Sequence, residues 1–212
     1  MGWASTEKTA LVDTLRRSDP GAPTLCAGWD VRRLLAHLVQ REQDLPGGVV
    51  DTVRGAEPGQ EPRLGRLVQG AGTPEGYAAL VDRFVSGAPR WSPFSWASDQ
   101  VNLVEYVIHH EDVRRGQAGT APRDVPLSQA RQVWRQVPLL ARLRFRRAPV
   151  GVVLALPGGE RKVVRAGDDP VVLTGEPVEL ALYTSGRRTA AQVEVSGPPT
   201  SVAAFQTWVA SV

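Results

Sequence analysis

The sequence predicts an all-α N-terminal half followed by a small α+β half, with a boundary near residue 148. Before that residue, apolar side chains recur at helical spacing between segments rich in proline and glycine. After Pro149 the pattern changes to short runs of β-branched residues separated by turns. A chain of 212 residues is long enough for two domains with separate cores, which we assign to residues 1–148 and 149–212.

Helical spacing of apolar residues predicts the elements of the first half. Five helices are expected, at residues 5–18, 30–45, 73–86, 98–115 and 128–145. Shorter helical pieces are expected at residues 49–53 and 63–68. In the second half, strands are predicted at residues 150–156, 161–165, 171–173 and 193–195, and helices at residues 176–183 and 200–209.

Residues that favour helix ends set several of these boundaries. Ser5 or Thr6 is predicted to cap the first helix and Asp30 the second, because short oxygen-bearing side chains accept hydrogen bonds from free amides. Thr73 precedes a proline, which is favoured at the first helical position. Pro138 predicts a kink or break in the helix at residues 128–145.

Composition excludes several classes of protein. No apolar run approaches the roughly 18 residues of a membrane span, and no signal peptide is recognisable, so we expect a cytoplasmic protein. The single cysteine, Cys26, excludes an internal disulfide and favours a reducing compartment. A calculated pI near 9.5 raises the alternative of a nucleic-acid-binding protein, but a net charge of only +3 disfavours it, and the arginines at residues 142–147 are predicted to be a solvated helix end.

The histidines suggest metal chemistry. Glu105 lies four residues before His109, so both side chains leave nearly the same face of one helix, and His37 lies on another helix. Two histidines and one carboxylate form a ligand set for catalytic zinc or iron. The simpler alternative is a surface Glu–His ion pair, worth about 0.2–0.5 kcal/mol. His110 points roughly 100° from His109 and is the poorer ligand, whereas Asp112 is placed to support a ligand.

Two segments carry a resemblance to a known family. Residues 24–38 resemble its "GW-x-V-x-DL-x-AHL" motif, although Arg33 stands where many relatives have an acidic residue. Residues 105–113 resemble its "E-x-x-x-H-x-x-D" helix. The family is that of mycothiol-dependent maleylpyruvate isomerases, which are DinB-like four-helix-bundle metalloproteins. The resemblance implies that His37, Glu105 and His109 bind a divalent metal, usually zinc.

The resemblance extends into the second half of the chain. Residues 172–180 resemble the "V-x-G-x-P-x-E-L" stretch of the small sterol-carrier-like α+β domain that follows the bundle in that family. The implied fold is therefore a DinB-like four-helix bundle followed by a sterol-carrier-like domain.

The resemblance also implies an activity. We expect a metal-dependent S-transferase or isomerase that acts on a small molecule with a low-molecular-weight thiol of the mycothiol type as cosubstrate. Zinc is the expected metal, and nickel, iron or manganese are alternatives. A non-catalytic metal-binding or stress-response module remains the alternative, and thiol-dependent turnover distinguishes the two. The oligomeric state is left open, with a homodimer as one option.

The sequence assigns no catalytic residue and only weak substrate-binding candidates. Arg41 lies near His37 on the helical wheel, and Arg187 lies in the second half. Each could bind a substrate carboxylate, although a plain surface arginine is the more common outcome. Cys26 could be a nucleophile, but a single cysteine without an identified base is more often a small buried side chain. Trp91 and Trp96 flank a loop and are expected to pack against the bundle, with a place in the lining of the pocket as the alternative.

Overall fold

The structure is a computed structural model that describes residues 2–43, 62–87, 99–117 and 120–211. The helical piece expected at residues 49–53 and the loop with Trp91 and Trp96 lie outside these residues. Within them the fold is mixed, with eight helices and one four-stranded sheet, and it divides into two compact units between Pro122 and Arg123. None of the helices described is both long and apolar enough to cross a membrane.

The first unit is helical. Its helices are α1 (Trp3–Arg17), α2 (Val31–Gln43), α3 (Pro62–Gly70), α4 (Pro74–Ser86) and α5 (Asp99–Arg114). Helix α1 packs on α5 and α4, and α2 packs on α3 and α4. Their inner faces form a core of fully buried side chains, among them Leu11, Leu15, Leu34, Leu35, Leu38, Phe84, Leu103 and Val107.

Two of the predicted helix caps are confirmed and one is wrong. The Asp30 carboxylate accepts a hydrogen bond from the Arg33 amide at 2.7 Å, and the Thr73 hydroxyl caps α4. Helix α1, however, begins at Trp3, ahead of the predicted caps. The Thr6 hydroxyl lies in the first turn and donates to the Gly2 carbonyl, a local bond that this side chain also makes inside helices.

The second unit contains the sheet. Its elements are α6 (Leu127–Phe145), β1 (Val152–Ala155), β2 (Arg161–Arg165), β3 (Val171–Thr174), α7 (Pro177–Thr184), β4 (Glu194–Ser196) and α8 (Pro199–Ala210). The four predicted strands are confirmed. The strand order is β2-β1-β3-β4, in which β1 and β3 are parallel and the other neighbours are antiparallel.

Helix α6 belongs to this second unit. It packs on α7 and on β2. It continues through Pro138, so this proline does not break the helix, and the alternative of a kink stays a prediction. Its last turn places Phe145 against Phe205 of α8, with ring centroids 5.7 Å apart. The two compact units therefore divide before α6, whereas the domain boundary predicted from the sequence follows it. The boundary near residue 148 stays a prediction.

A loop between α1 and α2 is fixed against the end of α5. Pro23 and Asp30 form an isolated β-bridge that closes the loop, and the Leu25 amide donates to the Asp112 carbonyl at 3.1 Å. Gly116 lies so close to this loop that a Cβ atom there would collide with the Pro23 carbonyl oxygen. The absence of a side chain at Gly116 therefore lets the loop approach α5.

Substitution of Gly116 by alanine should destabilise the first unit. Because the added methyl meets backbone atoms that cannot move independently, we expect Gly116→Ala to lower the free energy of unfolding by about 1–3 kcal/mol. Urea denaturation measures the change. The matched control is Gly65→Ala in α3, where an added Cβ meets no atom within 4 Å and should stabilise by about 0.5–1 kcal/mol. Equal behaviour of the two variants would contradict the close approach.

Candidate metal centre

The three predicted ligands come together in the first unit. The Glu105 Oε1 atom lies 3.2 Å from His109 Nε2 and 3.8 Å from His37 Nε2. The two imidazole rings meet edge to face, with centroids 5.3 Å apart. One donor atom from each of the three residues lies within 4.8 Å of the other two. The arrangement expected from the sequence is therefore present.

The helices position these side chains at the edge of the core. On α5, Glu105 and His109 are one turn apart, so their side chains lie one above the other. On α2, His37 lies beside a buried apolar stripe that includes Leu34 and Leu38. The exposed fraction of the side chain is 33% for His37, 29% for Glu105 and 9% for His109. The group is thus anchored in the core at His109 and open to solvent at His37.

The spacing of the donor atoms suits a small divalent cation. Tetrahedral zinc binds imidazole nitrogen and carboxylate oxygen at about 2.0–2.1 Å, which places neighbouring donors about 3.3 Å apart. The distances of 3.2 and 3.8 Å from Glu105 Oε1 to the two histidine nitrogens lie close to this value. Three protein donors also leave a coordination position for a further ligand. The residues present therefore fit a catalytic type of metal site.

Asp112 fixes the orientation of His109. Its Oδ2 atom lies 2.9 Å from His109 Nδ1, and its side chain is fully buried. A hydrogen bond donated from Nδ1 to this carboxylate turns Nε2 towards Glu105 and His37. Carboxylate partners of this kind select the tautomer and raise the basicity of metal-binding histidines. The contact agrees with the supporting role that the sequence suggested for Asp112.

The protonation states follow from burial and contacts. Burial lowers the pKa of His37, which favours its neutral form. Burial also opposes the charged forms of His109 and Glu105, but their hydrogen bonds outweigh it. The bonds with Asp112, Cys26 and Glu105 hold the pKa of His109 well above its usual range. Those with His109 and His37 hold the pKa of Glu105 well below its usual range. Without a cation, His109 and Glu105 therefore form an ion pair.

The loop between α1 and α2 adds two side chains that the sequence did not place at the site. The Cys26 thiol donates to Asp112 Oδ2 at 3.2 Å, and the Trp29 ring lies 5.3 Å from the His37 ring. Donor atoms of Cys26, His109 and Asp112 also lie within 4.8 Å of one another. Cys26 and Asp112 are 86 residues apart, and no spacing pattern in the sequence links them.

The remaining candidates have distinct surroundings. Arg41 lies at the site, with its Nε atom 3.2 Å from Glu105 Oε1. Arg187 lies in the second unit and donates to the Ser185 carbonyl oxygen at 2.7 Å. For both arginines, a substrate contact stays a prediction.

The third histidine makes contacts of another kind. His110 is buried, and its ring nitrogens lie 2.7 Å from Glu7 Oε1 and 2.8 Å from Thr14 Oγ1. Both partners belong to α1, so this ring joins α5 to α1. Its surroundings agree with the prediction that His110 is a poorer metal ligand than His109.

The chain resembles known proteins in sequence and in fold. The family model described as the mycothiol maleylpyruvate isomerase N-terminal domain matches residues 3–114, more than half of the chain. A crystal structure of a histidine-to-alanine mutant of mycothiol-dependent maleylpyruvate isomerase has a similar fold, with a TM-score of 0.59 at 19% identity over 93% of each chain. A second crystal structure of that isomerase gives a TM-score of 0.57 at 17% identity, over 92% of this chain and 90% of that one.

No curated protein matches the chain. The solved structures show a similar fold, and the family model confirms the resemblance carried by the two motifs. The chain belongs to the family defined by the mycothiol maleylpyruvate isomerase N-terminal domain.

Proposed function

We propose that the protein binds one divalent cation through His37, Glu105 and His109 and uses it for thiol-dependent chemistry on a small molecule in the cytoplasm. The reaction class is S-transfer, or isomerisation through a thiol adduct. The convergence of the three donors on one point carries the proposal. The family supports the identity of the thiol, because the similar solved structures are of a mycothiol-dependent isomerase.

A bound cation would supply one chemical function at this site. A divalent ion, for which we propose zinc with nickel, iron or manganese as alternatives, lowers the pKa of a thiol or water ligand and thereby favours the nucleophilic anion. The protein side chains would orient the ligands and balance the charge of the ion. Asp112 holds the His109 ring in place, and the Glu105 carboxylate offsets part of the positive charge. One third of the His37 side-chain surface is exposed, so a small molecule can reach the site from this side.

Arg41 is the proposed contact for a substrate carboxylate. Its guanidinium lies 3.2 Å from Glu105 and 3.5 Å from the Asn102 side-chain oxygen, so its position is fixed by α5. A guanidinium presents donors on two edges, so one edge can bind Glu105 while another faces a ligand. Arg187 is the second substrate candidate, proposed from the sequence alone.

The finer fold assignments also belong to this proposal. We propose that the helical unit is a DinB-like four-helix bundle and that the unit with the sheet is a sterol-carrier-like domain. The domain limits 1–148 and 149–212 and a homodimeric state are proposals of the same kind.

The metal content of the purified protein tests the site. Protein prepared without a histidine tag should contain close to one equivalent of divalent metal by elemental analysis. His37→Ala and Glu105→Ala should each lose most of it, because two remaining donors bind weakly. The control is His110→Asn, which changes a buried histidine bonded to Glu7 and Thr14 and should retain the metal. An equal metal content in the wild type and all three variants would contradict the proposed ligands.

Proton release on metal binding tests the electrostatics. Because the pKa of His109 is raised, its ring is protonated at pH 7 in the metal-free protein and must lose that proton to coordinate. Calorimetric titration with zinc in buffers of different ionisation enthalpy should show release of about one proton per ion. The apparent affinity should rise with pH until His109 is neutral in the metal-free protein.

Removal of the Asp112 charge should change both the number of protons released on metal binding and the affinity for the metal. In Asp112→Asn the pKa of His109 falls, so fewer protons are released at pH 7. Loss of the orienting carboxylate should also weaken metal binding by about 10–100-fold. Proton release and affinity equal to those of the wild type would contradict the role given to Asp112.

Thiol-dependent turnover tests the reaction class. The zinc-loaded protein should consume maleylpyruvate, or a chromogenic electrophile such as 1-chloro-2,4-dinitrobenzene, only when mycothiol or another small thiol is present. The His37→Ala variant should show no rate above the background. Metal binding without turnover for any thiol would support the non-catalytic metal-binding module.

A further inference from the structure

We propose that Glu42 is a positioning residue for the candidate metal centre, because it holds α2 at the separation from α5 at which the three donors converge. This role rests on the proposed function, since it concerns the same site. Glu42 lies five residues after His37 on α2, which is about 7.5 Å further along the helix. Its partner on α5, Tyr106, directly follows the donor Glu105. Glu42 therefore lies outside the donor set and acts on it through the two helices.

Glu42 is a carboxylate buried in the first unit, with only 3% of its side-chain surface exposed. Its Oε2 and Oε1 atoms accept hydrogen bonds from Lys8 Nζ at 2.8 and 3.0 Å, and Oε1 also accepts one from the Tyr106 hydroxyl. The removal of a carboxylate from water is costly, and partners in good geometry are needed to offset that cost. The position of Glu42 is therefore tied to the positions of both partners.

Four helices of the first unit meet at this carboxylate. Lys8 comes from α1, Glu42 from α2 and Tyr106 from α5. Phe84 of α4 lies against both partners, with its ring centroid 4.4 Å from Lys8 Nζ and 6.0 Å from the centroid of the Tyr106 ring. An ammonium group over an aromatic face is attracted by the ring, so Phe84 helps to fix Lys8. The carboxylate is thus held by groups that the rest of the core fixes.

Side chains make the link between α2 and α5. Among the described residues, α2 packs on α3 and α4, whereas α5 packs on α1. Arg41 of α2 bonds to Asn102 and Glu105 of α5, and Glu42 bonds to Tyr106. Glu42 and Tyr106 are 3% and 6% exposed, whereas the Glu105 side chain is 29% exposed. Water therefore competes less with the bond between Glu42 and Tyr106, which is the firmer of the two links.

Ring contacts in the metal-free protein test the positioning role independently of any cation. The chain has only three histidines, so the ring protons of His37 and His109 can be resolved by NMR. The two rings meet edge to face with centroids 5.3 Å apart, which should give a nuclear Overhauser effect between them. Tyr106→Phe removes only the hydroxyl that binds Glu42. Without this bond α2 should move away from α5, and the effect between the rings should be lost.

Zinc affinity is the second readout. In Tyr106→Phe the three donors should converge for a smaller fraction of the time, and the apparent Kd rises by the inverse of that fraction. A converged fraction of about one tenth gives a rise of about tenfold. Glu42→Gln keeps an oxygen that can accept the Tyr106 hydroxyl, so its rise should be smaller.

The matched control is Glu7→Gln. Glu7 is a carboxylate that is likewise buried, at 2% exposure, but it bonds to His110 and joins α1 to α5. Loss of this bond should lower Tm. Because the link between α2 and α5 stays intact, the ring contact and the zinc affinity should remain those of the wild type.

The positioning role is overturned if the wild type lacks the ring contact, or if Tyr106→Phe keeps it. It is also overturned if Glu7→Gln loses as much of the contact and affinity as Tyr106→Phe does. A lower Tm in all three variants with the ring contact intact would make Glu42 a purely structural residue. A wild type that shows the contact, loses it in Tyr106→Phe and binds no zinc would contradict the metal centre but support the role of Glu42.

Discussion

The hydrogen bond between the buried Asp112 carboxylate and the His109 ring is the contact on which the candidate metal centre depends. It fixes which nitrogen of His109 faces Glu105 and His37, and it holds the ring at the border of the core. The backbone carbonyl of Asp112 accepts a hydrogen bond from the Leu25 amide, and its carboxylate accepts one from the Cys26 thiol. Asp112 therefore joins the loop between α1 and α2 to the helix that carries two of the three donors.

The adjacent histidines on α5 face different surroundings because the helix turns about 100° from one residue to the next. His109 faces the open edge with Glu105, whereas His110 faces α1 and lies between Glu7 and Thr14. One helix thus carries two of the candidate metal ligands on one side and a polar contact with α1 on another. The buried His110 and Glu7 side chains bond to each other, which offsets the cost of removing them from water.

Much of the site could be predicted from the sequence, because three of its residues lie within eight positions of one another in the chain. Glu105, His109 and Asp112 lie on one helix, and helical periodicity gives their relative directions without knowledge of the fold. His37 was a candidate because the chain has only three histidines, and the resemblance of residues 24–38 to the family motif supported it. The approach of Cys26 and Trp29 to the site could not be predicted, because their loop comes close to the end of α5 only where Gly116 has no side chain.

The predicted start of α1 was wrong because Thr6 is a residue type that favours helix caps, whereas its hydroxyl here donates to a carbonyl of the first turn. The position of α6 in the second unit depends on its packing against α7 and β2, which no local pattern records.

Extended X-ray absorption spectra of the zinc-loaded protein, recorded without added thiol, identify the atoms that bind the ion. If His37, Glu105 and His109 bind the ion, the first shell contains nitrogen and oxygen at about 2.0–2.1 Å, with the outer-shell scattering of two imidazoles and no sulfur. A sulfur neighbour at about 2.3 Å would place the ion with Cys26, His109 and Asp112. That result would contradict the assignment of His37, Glu105 and His109 as the metal ligands.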